Sequence, residues 1–131
     1  MVNDPIGDFI IQLKNAGMVR KGEVSIPYSK LKHAIAEKLV EAGYVTSAAK
    51  HGKKVKKTLN VTLKYDKTGM HAIQGVKRSS KPGRRLYLSV SEIFPVKFGR
   101  GERILSTPAG ILTGKEARVK NVGGEELFII W

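Results

Sequence analysis

At Tyr44 the apolar residues of this chain change their spacing, and that change restricts the fold more than any other feature of the sequence. Before it, Ile6, Phe9, Ile10 and Leu13 recur at i, i+3, i+4 and i+7, the single apolar face of a helix. After it, Leu59, Val61, Leu63 and Tyr65 alternate strictly, the period of a half-buried strand. A chain that begins with helical spacing and ends in short strands and turns reads as α+β. Its 131 residues hold one ordinary domain or two small ones sharing an interface.

Local signals divide the chain further. Asp4 is a good N-cap, Pro5 suits the first helical position, and Asn15-Ala16-Gly17 is a stop. A strand at Val24-Ser25-Ile26 precedes a second helix that starts after Ser29 and stops at Gly43, with Leu31, Ile35 and Leu39 pointing inward. Tyr44-Val45-Thr46 opens a hairpin that turns at His51-Gly52-Lys53-Lys54. The expectation for residues 1–68 is therefore an N-terminal α/β subdomain: helix, strand, helix, strand, strand. Residues 69–131 are expected to form a mostly β subdomain. Its predicted strands cover 72–77 and 84–89, its one helical turn 91–96, and its hairpin 103–106 with 111–113. Thr113-Gly114-Lys115-Glu116 has capping-box form and starts a short helix, and a closing strand over 125–131 ends the pattern.

Charge limits the partners. Twenty-four Lys and Arg against 11 Asp and Glu give a formal net charge of +13, a self-repulsion that a polyanion relieves. Residues 50–85 carry half of the basic side chains beside one acid, Asp66. Lys53, Lys54, Lys56 and Lys57 form a hairpin tip, and Lys77, Arg78, Lys81, Arg84 and Arg85 surround a Pro-Gly turn. Tips of this kind reach phosphates and release counterions. Lys30 and Lys32 stand in the first turn of the second helix, where they oppose the helix dipole; an anion or a plain solvated face accounts for them equally. No apolar run approaches the roughly 20 residues that span a bilayer. With no Cys and no signal-peptide core, the expectation is a cytoplasmic protein with no membrane partner.

Enzyme readings do poorly. His33, His51 and His71 lack metal-ligand spacing, and no G-x-S-x-G, Walker or H-E-x-x-H pattern occurs, so neither a catalytic site nor a metal or cofactor is expected. What stands out instead is Ser106-Thr107-Pro108-Ala109-Gly110, two hydroxyls on a tight turn between Ile104-Leu105 and Ile111-Leu112. Hydroxyls donate and accept, so such a turn can read nucleotide edges and sugars as well as phosphates. Tyr87, close after Arg84 and Arg85, fits either a base-stacking or a core position. Glu125-Glu126 reads as a pair of strand-start charges.

The order of these motifs resembles the bacterial form of universal small-subunit ribosomal protein eight. The matching stretches are Asn3-Asp4-Pro5-Ile6 with Lys14-Asn15, Pro27-Tyr28-Ser29-Lys30-Leu31-Lys32, the run from Arg78 to Tyr87, Ser106-Thr107 with Gly110, and Gly123-Gly124-Glu125. The resemblance implies a structural constituent of the small ribosomal subunit, a primary binder of its RNA that holds an irregular helical junction in the central domain during assembly. It implies RNA contacts by Ser106, Thr107, Gly110, Tyr87, Gly124 and Glu125, with backbone contacts from Lys30 and Lys32. Glu125 is expected to orient Thr107 or Tyr87, or to accept from a base amine. Neighbouring ribosomal proteins are implied partners, and the family's habit of binding its own operon messenger RNA leaves that partner open. The family commonly continues the Ser-Thr turn with a second Ser and a basic residue; Pro108 and Ala109 stand there in this chain, where they stiffen the turn. The alternative from another class is a stand-alone, nonspecific nucleic-acid coat or RNA chaperone.

Overall fold

A computed structural model of the chain describes residues 4–52, 57–81, 83–94 and 101–131. Two compact units emerge, Asp8–Gln74 and Gly75–Trp131, the latter together with the start of the chain through Gly7. The division falls later than the 68/69 boundary expected from turn residues, because the extended segment after Ala72 belongs with the first unit until Gly75.

The Asp8–Gln74 unit follows the helix-strand-helix-strand-strand order: α1 (Pro5–Met18) from Asp8 onward, β1 (Glu23–Pro27), α2 (Lys30–Ala42), β2 (Val45–His51) and β3 (Thr58–Leu63). The strands form an antiparallel sheet in the order β1-β3-β2. Phe9, Ile10 and Leu13 of α1 are buried, as are Leu59, Val61 and Leu63 of β3, so both periods read from the sequence do bury one face. Ser29 caps α2 by accepting from the Lys32 amide, and Gly43, at φ 87°, ends it with amide bonds back to Leu39 and Val40. The inward face of α2 is Ile35, Ala36 and Leu39; Leu31, expected inside, is 42% exposed. Steps of i+4 drift about 40° around a helix, which is enough to carry one end of such a row off the buried stripe. Tyr65, expected in β3, lies beyond its end. It bridges to His71, and its hydroxyl donates to the Lys21 carbonyl.

The C-terminal unit is built around β8 (Gly124–Ile130), which pairs with β4 (Val76–Arg78) and β5 (Tyr87–Leu88) on one side and β6 (Glu102–Thr107) on the other; β6 in turn pairs with β7 (Gly110–Thr113). Strands expected over 72–77 and 84–89 are thus much shorter. Gly75 and Trp131 exchange backbone bonds at the far end of the β4–β8 ladder. Lys81 and Arg84 exchange both of theirs, which closes a tight turn, and the buried Ser80 hydroxyl accepts from Leu86 N, so the chain enters β5 late. The predicted helical turn appears as a 3-10 turn at Val90–Glu92, and its expected end at residue 96 lies outside the described residues. The α3 helix (Gly114–Lys120) starts on the Thr113–Glu116 capping box and closes on Asn121 in the left-handed region. Ile93, Leu105, Leu112 and Ala117 form a core cluster, with Leu88 and Val122 packed against it.

Arg78, read from the sequence as part of a phosphate-reaching tip, is a structural residue. Its side chain is 11% exposed, and the guanidinium meets Asp4 at 3.0 Å and donates to the Leu127 carbonyl. Asp4 also caps α1 by accepting from Gly7 N. The Arg78 hydrogen bond, outweighing the burial that acts against it, holds the Asp4 carboxyl below its ordinary value. A group depressed in the folded state adds stability above its unfolded pKa and loses it as pH falls through the folded one. Asp4→Asn is therefore expected to flatten the acid limb of the stability curve below about pH 4. Urea melts taken down that limb check this, and an unchanged slope counts against it.

Candidate nucleic-acid interface

The Ser106–Gly110 turn is the tip of the β6–β7 hairpin, with Thr107 opposite Gly110. Pro108 fixes φ near −65°, which excludes the mirror-image turns that two-residue hairpins prefer. Gly110, at φ 110°, takes up the mismatch, and its open surroundings show that conformation, not space, requires glycine there. The Thr107 hydroxyl braces the turn: it donates to the Gly110 carbonyl at 2.8 Å and accepts from the Ala109 amide at 3.1 Å. Its one proton is thereby engaged. Among the described residues the Ser106 hydroxyl has no partner, which leaves both its donor and its acceptor sites for a ligand.

Register then assembles the site. On β8, Glu125 stands directly opposite Tyr87 of β5 on one side and Ser106 of β6 on the other. Directly opposed residues share a face, so Tyr87, Glu125 and Ser106 form one row across three strands, about 10 Å from end to end. A bulge between Ile104 and Leu105 sets that alignment. Leu88 and Leu105, the next residues along, pack into the core, so the row must point the other way. Tyr87 is accordingly 67% exposed, which resolves the choice that its sequence context left open. Together with Thr107, Pro108, Ser89 and Gly124 the row lines an open groove of about 550 Å³.

Gly123 and Gly124 allow the three strands to come this close. A Cβ on Gly123 would lie 2.3 Å from the Leu88 carbonyl oxygen, and one on Gly124 equally near the Ser106 carbonyl oxygen. Gly124 thus shapes the floor of the groove.

Among the described residues the Glu125 carboxylate meets Arg85 Nη1 at 3.2 Å, a partner the resemblance did not supply. The Arg85 side chain is 49% exposed, so it keeps guanidinium edge for a phosphate while its charge offsets that of Glu125. Glu126 points away and is buried against Arg103, so the two adjacent acids belong to different faces. Ser89 is a groove residue that the sequence did not single out. Its amide and hydroxyl donate to Glu92, which holds that carboxyl below its ordinary value.

The remaining expected contacts are dispersed. Arg84 is exposed on the Lys81–Arg84 turn of the C-terminal unit. Lys30, Lys32 and Lys57 belong to the other unit. Lys30 and Lys57 are exposed, whereas the Lys32 ammonium reaches the Pro27 carbonyl at 3.3 Å. Lys53, Lys54 and Lys56 lie outside the described residues. Among the described residues no group of three or more His, Asp or Glu side chains could hold a metal, and no helix is long and apolar enough to cross a membrane.

The groove thus puts an aromatic ring, a hydroxyl and a carboxylate on one sheet face, beside the exposed Arg84 and Arg85. The family model for ribosomal protein S8 matches residues 4–131. Proteins named small ribosomal subunit protein uS8 are similar over the full chain. The one from Mycoplasma mobile is 46% identical, covering 100% of this chain and 98% of its own. That of Dictyoglomus thermophilum is 47% identical, covering 99% and 98%, and that of Lactobacillus delbrueckii subsp. bulgaricus 43%, covering 100% and 99%. The chain belongs to the ribosomal protein S8 family. It is accordingly a structural, non-enzymatic protein of the small ribosomal subunit.

Proposed function

We propose that this chain is a primary binder of small-subunit ribosomal RNA that recognises an irregular helical junction in the central domain and stabilises it during assembly. The observation that carries this reading is the row Tyr87–Glu125–Ser106 across β5, β8 and β6, which lines an open groove. An intact A-form helix hides its base edges in a deep, narrow groove, whereas a junction splays bases that can stack on a ring and offer amines and 2′-hydroxyls. Tyr87 supplies the stacking surface and Ser106 a donor and an acceptor. Glu125 accepts from amines and repels phosphate, so it favours a base or sugar edge over backbone at the centre of the groove. Arg84, Arg85, Lys30, Lys32 and the lysines of residues 53–57 add phosphate contacts that raise affinity without reading sequence.

The test is competition at physiological salt between a central-domain junction RNA and bulk duplex RNA. A preference for the junction of roughly a thousandfold or more is expected. Equal affinity would leave only the nonspecific coat. A leader of the protein's own operon messenger that displays the same splayed edges is expected to compete for this groove, and nucleotide-resolution footprinting on both RNAs checks it.

Within the groove the two hydroxyls are expected to behave differently. Ser106→Ala should reduce discrimination between cognate and altered junctions by about 1–3 kcal/mol with stability unchanged. Thr107→Ala should destabilise the hairpin by about 1 kcal/mol, and Thr107→Ser, which keeps the brace, should restore it. Filter-binding and urea melts on all three variants separate the roles. A Thr107→Ala variant of full stability that loses discrimination would reverse the assignment.

A further inference from the structure

Within the Asp8–Gln74 unit, β2 lies at the edge of its sheet, and among the described residues no strand pairs with its outer side. Proteins usually blunt such edges with charge or proline, because an unpaired row of amides and carbonyls is a template for another strand. The opposite edge strand, β1, begins with Glu23 and ends with Pro27. By contrast β2 carries Thr46, Ser47, Ala48 and Ala49 in succession, four small uncharged residues in a chain of which 27% is charged. Its first cation, Lys50, sits over the Tyr28 ring at 5.1 Å.

Beside this edge runs an open groove of about 270 Å³, lined by Glu37, Val40 and Glu41 of α2 and by Thr46, Ser47 and Ala48 of β2. The two carboxylates are 63% and 62% exposed. Each also has a local partner, His33 for Glu37 and Lys38 for Glu41, both at 3.1 Å. Glu41 stands in the last turn of α2, where the dipole disfavours negative charge, with Lys38 bridged to it and the Lys64 ammonium near Gly43. Among the described residues the groove lining itself carries the two exposed carboxylates and no Lys or Arg, on a chain whose net charge is +13. Such a lining favours a cationic chain over phosphate.

We propose that the outer edge of β2, with the groove beside it, docks an extended lysine- or arginine-rich segment of a neighbouring small-subunit protein as an added strand. Backbone bonds to β2 hold such a segment, and alternate side chains face one side of it. Cations at those positions meet Glu37 and Glu41 on the side of Ala48, and the residues between them face the opposite side, beside Ser47 and Ala49. The site uses no residue of the RNA-reading groove, so its failure and that of the RNA reading are separately visible.

The experiment places a photoreactive benzophenone amino acid at Ser47, and separately at Ala49, of the full-length protein in assembled small subunits. The cross-linked peptide is then sequenced by mass spectrometry. A cross-link to a protein segment rich in Lys and Arg is expected. Glu37→Lys with Glu41→Lys should lower its yield at least tenfold at equal protein content per subunit. Both positions are exposed, and lysine suits a helix C-terminus, so folding should survive; a thermal melt confirms it. Glu37→Gln with Glu41→Gln should give an intermediate loss. Cross-linking to RNA, no cross-link at either position, or a yield indifferent to charge reversal would overturn the proposal.

Discussion

Gly124→Ala is expected to destabilise the protein by about 3 kcal/mol and to remove junction discrimination even at temperatures where the variant is folded. The cause is local and geometric. A Cβ at this position would lie 2.3 Å from the Ser106 carbonyl oxygen and 2.9 Å from Thr107 Cγ2. The first of these is backbone, so it cannot swing aside as a side chain could. Relief requires β6 to move away from β8 at the point where Ser106 pairs with Glu125. Because that pairing aligns the Tyr87–Glu125–Ser106 row, the same displacement that costs stability also separates the groups proposed to read the RNA. Gly22→Ala is the control. Nothing lies within 4 Å of its Cβ position, and its φ is outside the left-handed region, so a change within about 0.5 kcal/mol is expected. Urea melts and junction binding on both variants check the contrast. A Gly124→Ala protein with wild-type stability would mean that β6 and β8 have more freedom than their register implies.

The elements that position this groove differ in how far the sequence revealed them. Asp4 with Pro5, Ser29 with Gly43, and Thr113 with Glu116 mark helix ends through bonds between residues a few places apart, and such signals survive without tertiary context. The hairpin around Pro108 was equally legible, since its turn residues and both apolar flanks are contiguous. The row across β5, β8 and β6 was not. It depends on a bulge between Ile104 and Leu105, and a one-residue change of register would send Glu125 to the other face. Tyr87 fitted core and surface equally until Leu88 proved to be the residue packed against the Ile93–Leu105–Leu112 cluster. Arg78 looked like any other cation of a basic tip, because its partner Asp4 is distant in sequence and pairing at that range has no local signature. The same holds for Arg85 with Glu125. Composition correctly pointed to a polyanion; which cations are structural and which are available was decided by contacts between distant segments.

Arg103→Ala is expected to cost about 3–5 kcal/mol. Glu126 is 3% exposed and Arg103 is its ion-pair partner, so truncating the arginine leaves a carboxylate charged in a site that water barely reaches. Arg103 also donates from Nε to the Phe94 carbonyl at 2.7 Å, and its stem packs beside Gly114 at the start of α3. The truncation therefore loosens the helix as well as the strand. Burial of the pair is what makes the deletion costly, and the pair itself adds little, since desolvation offsets most of its attraction. Arg103→Met with Glu126→Leu, which replaces both charges by apolar groups of similar volume, should consequently recover most of the loss. A coupling of at least about 2 kcal/mol between the two positions is expected in a double-mutant cycle. If the double variant is as unstable as Arg103→Ala, the pair is stabilising in its own right and burial is not the reason. RNA discrimination provides a second readout. Glu126 and Glu125 are neighbours on β8 that face opposite sides, so the repacked double variant should keep its preference for the junction while the pair beneath the groove is gone.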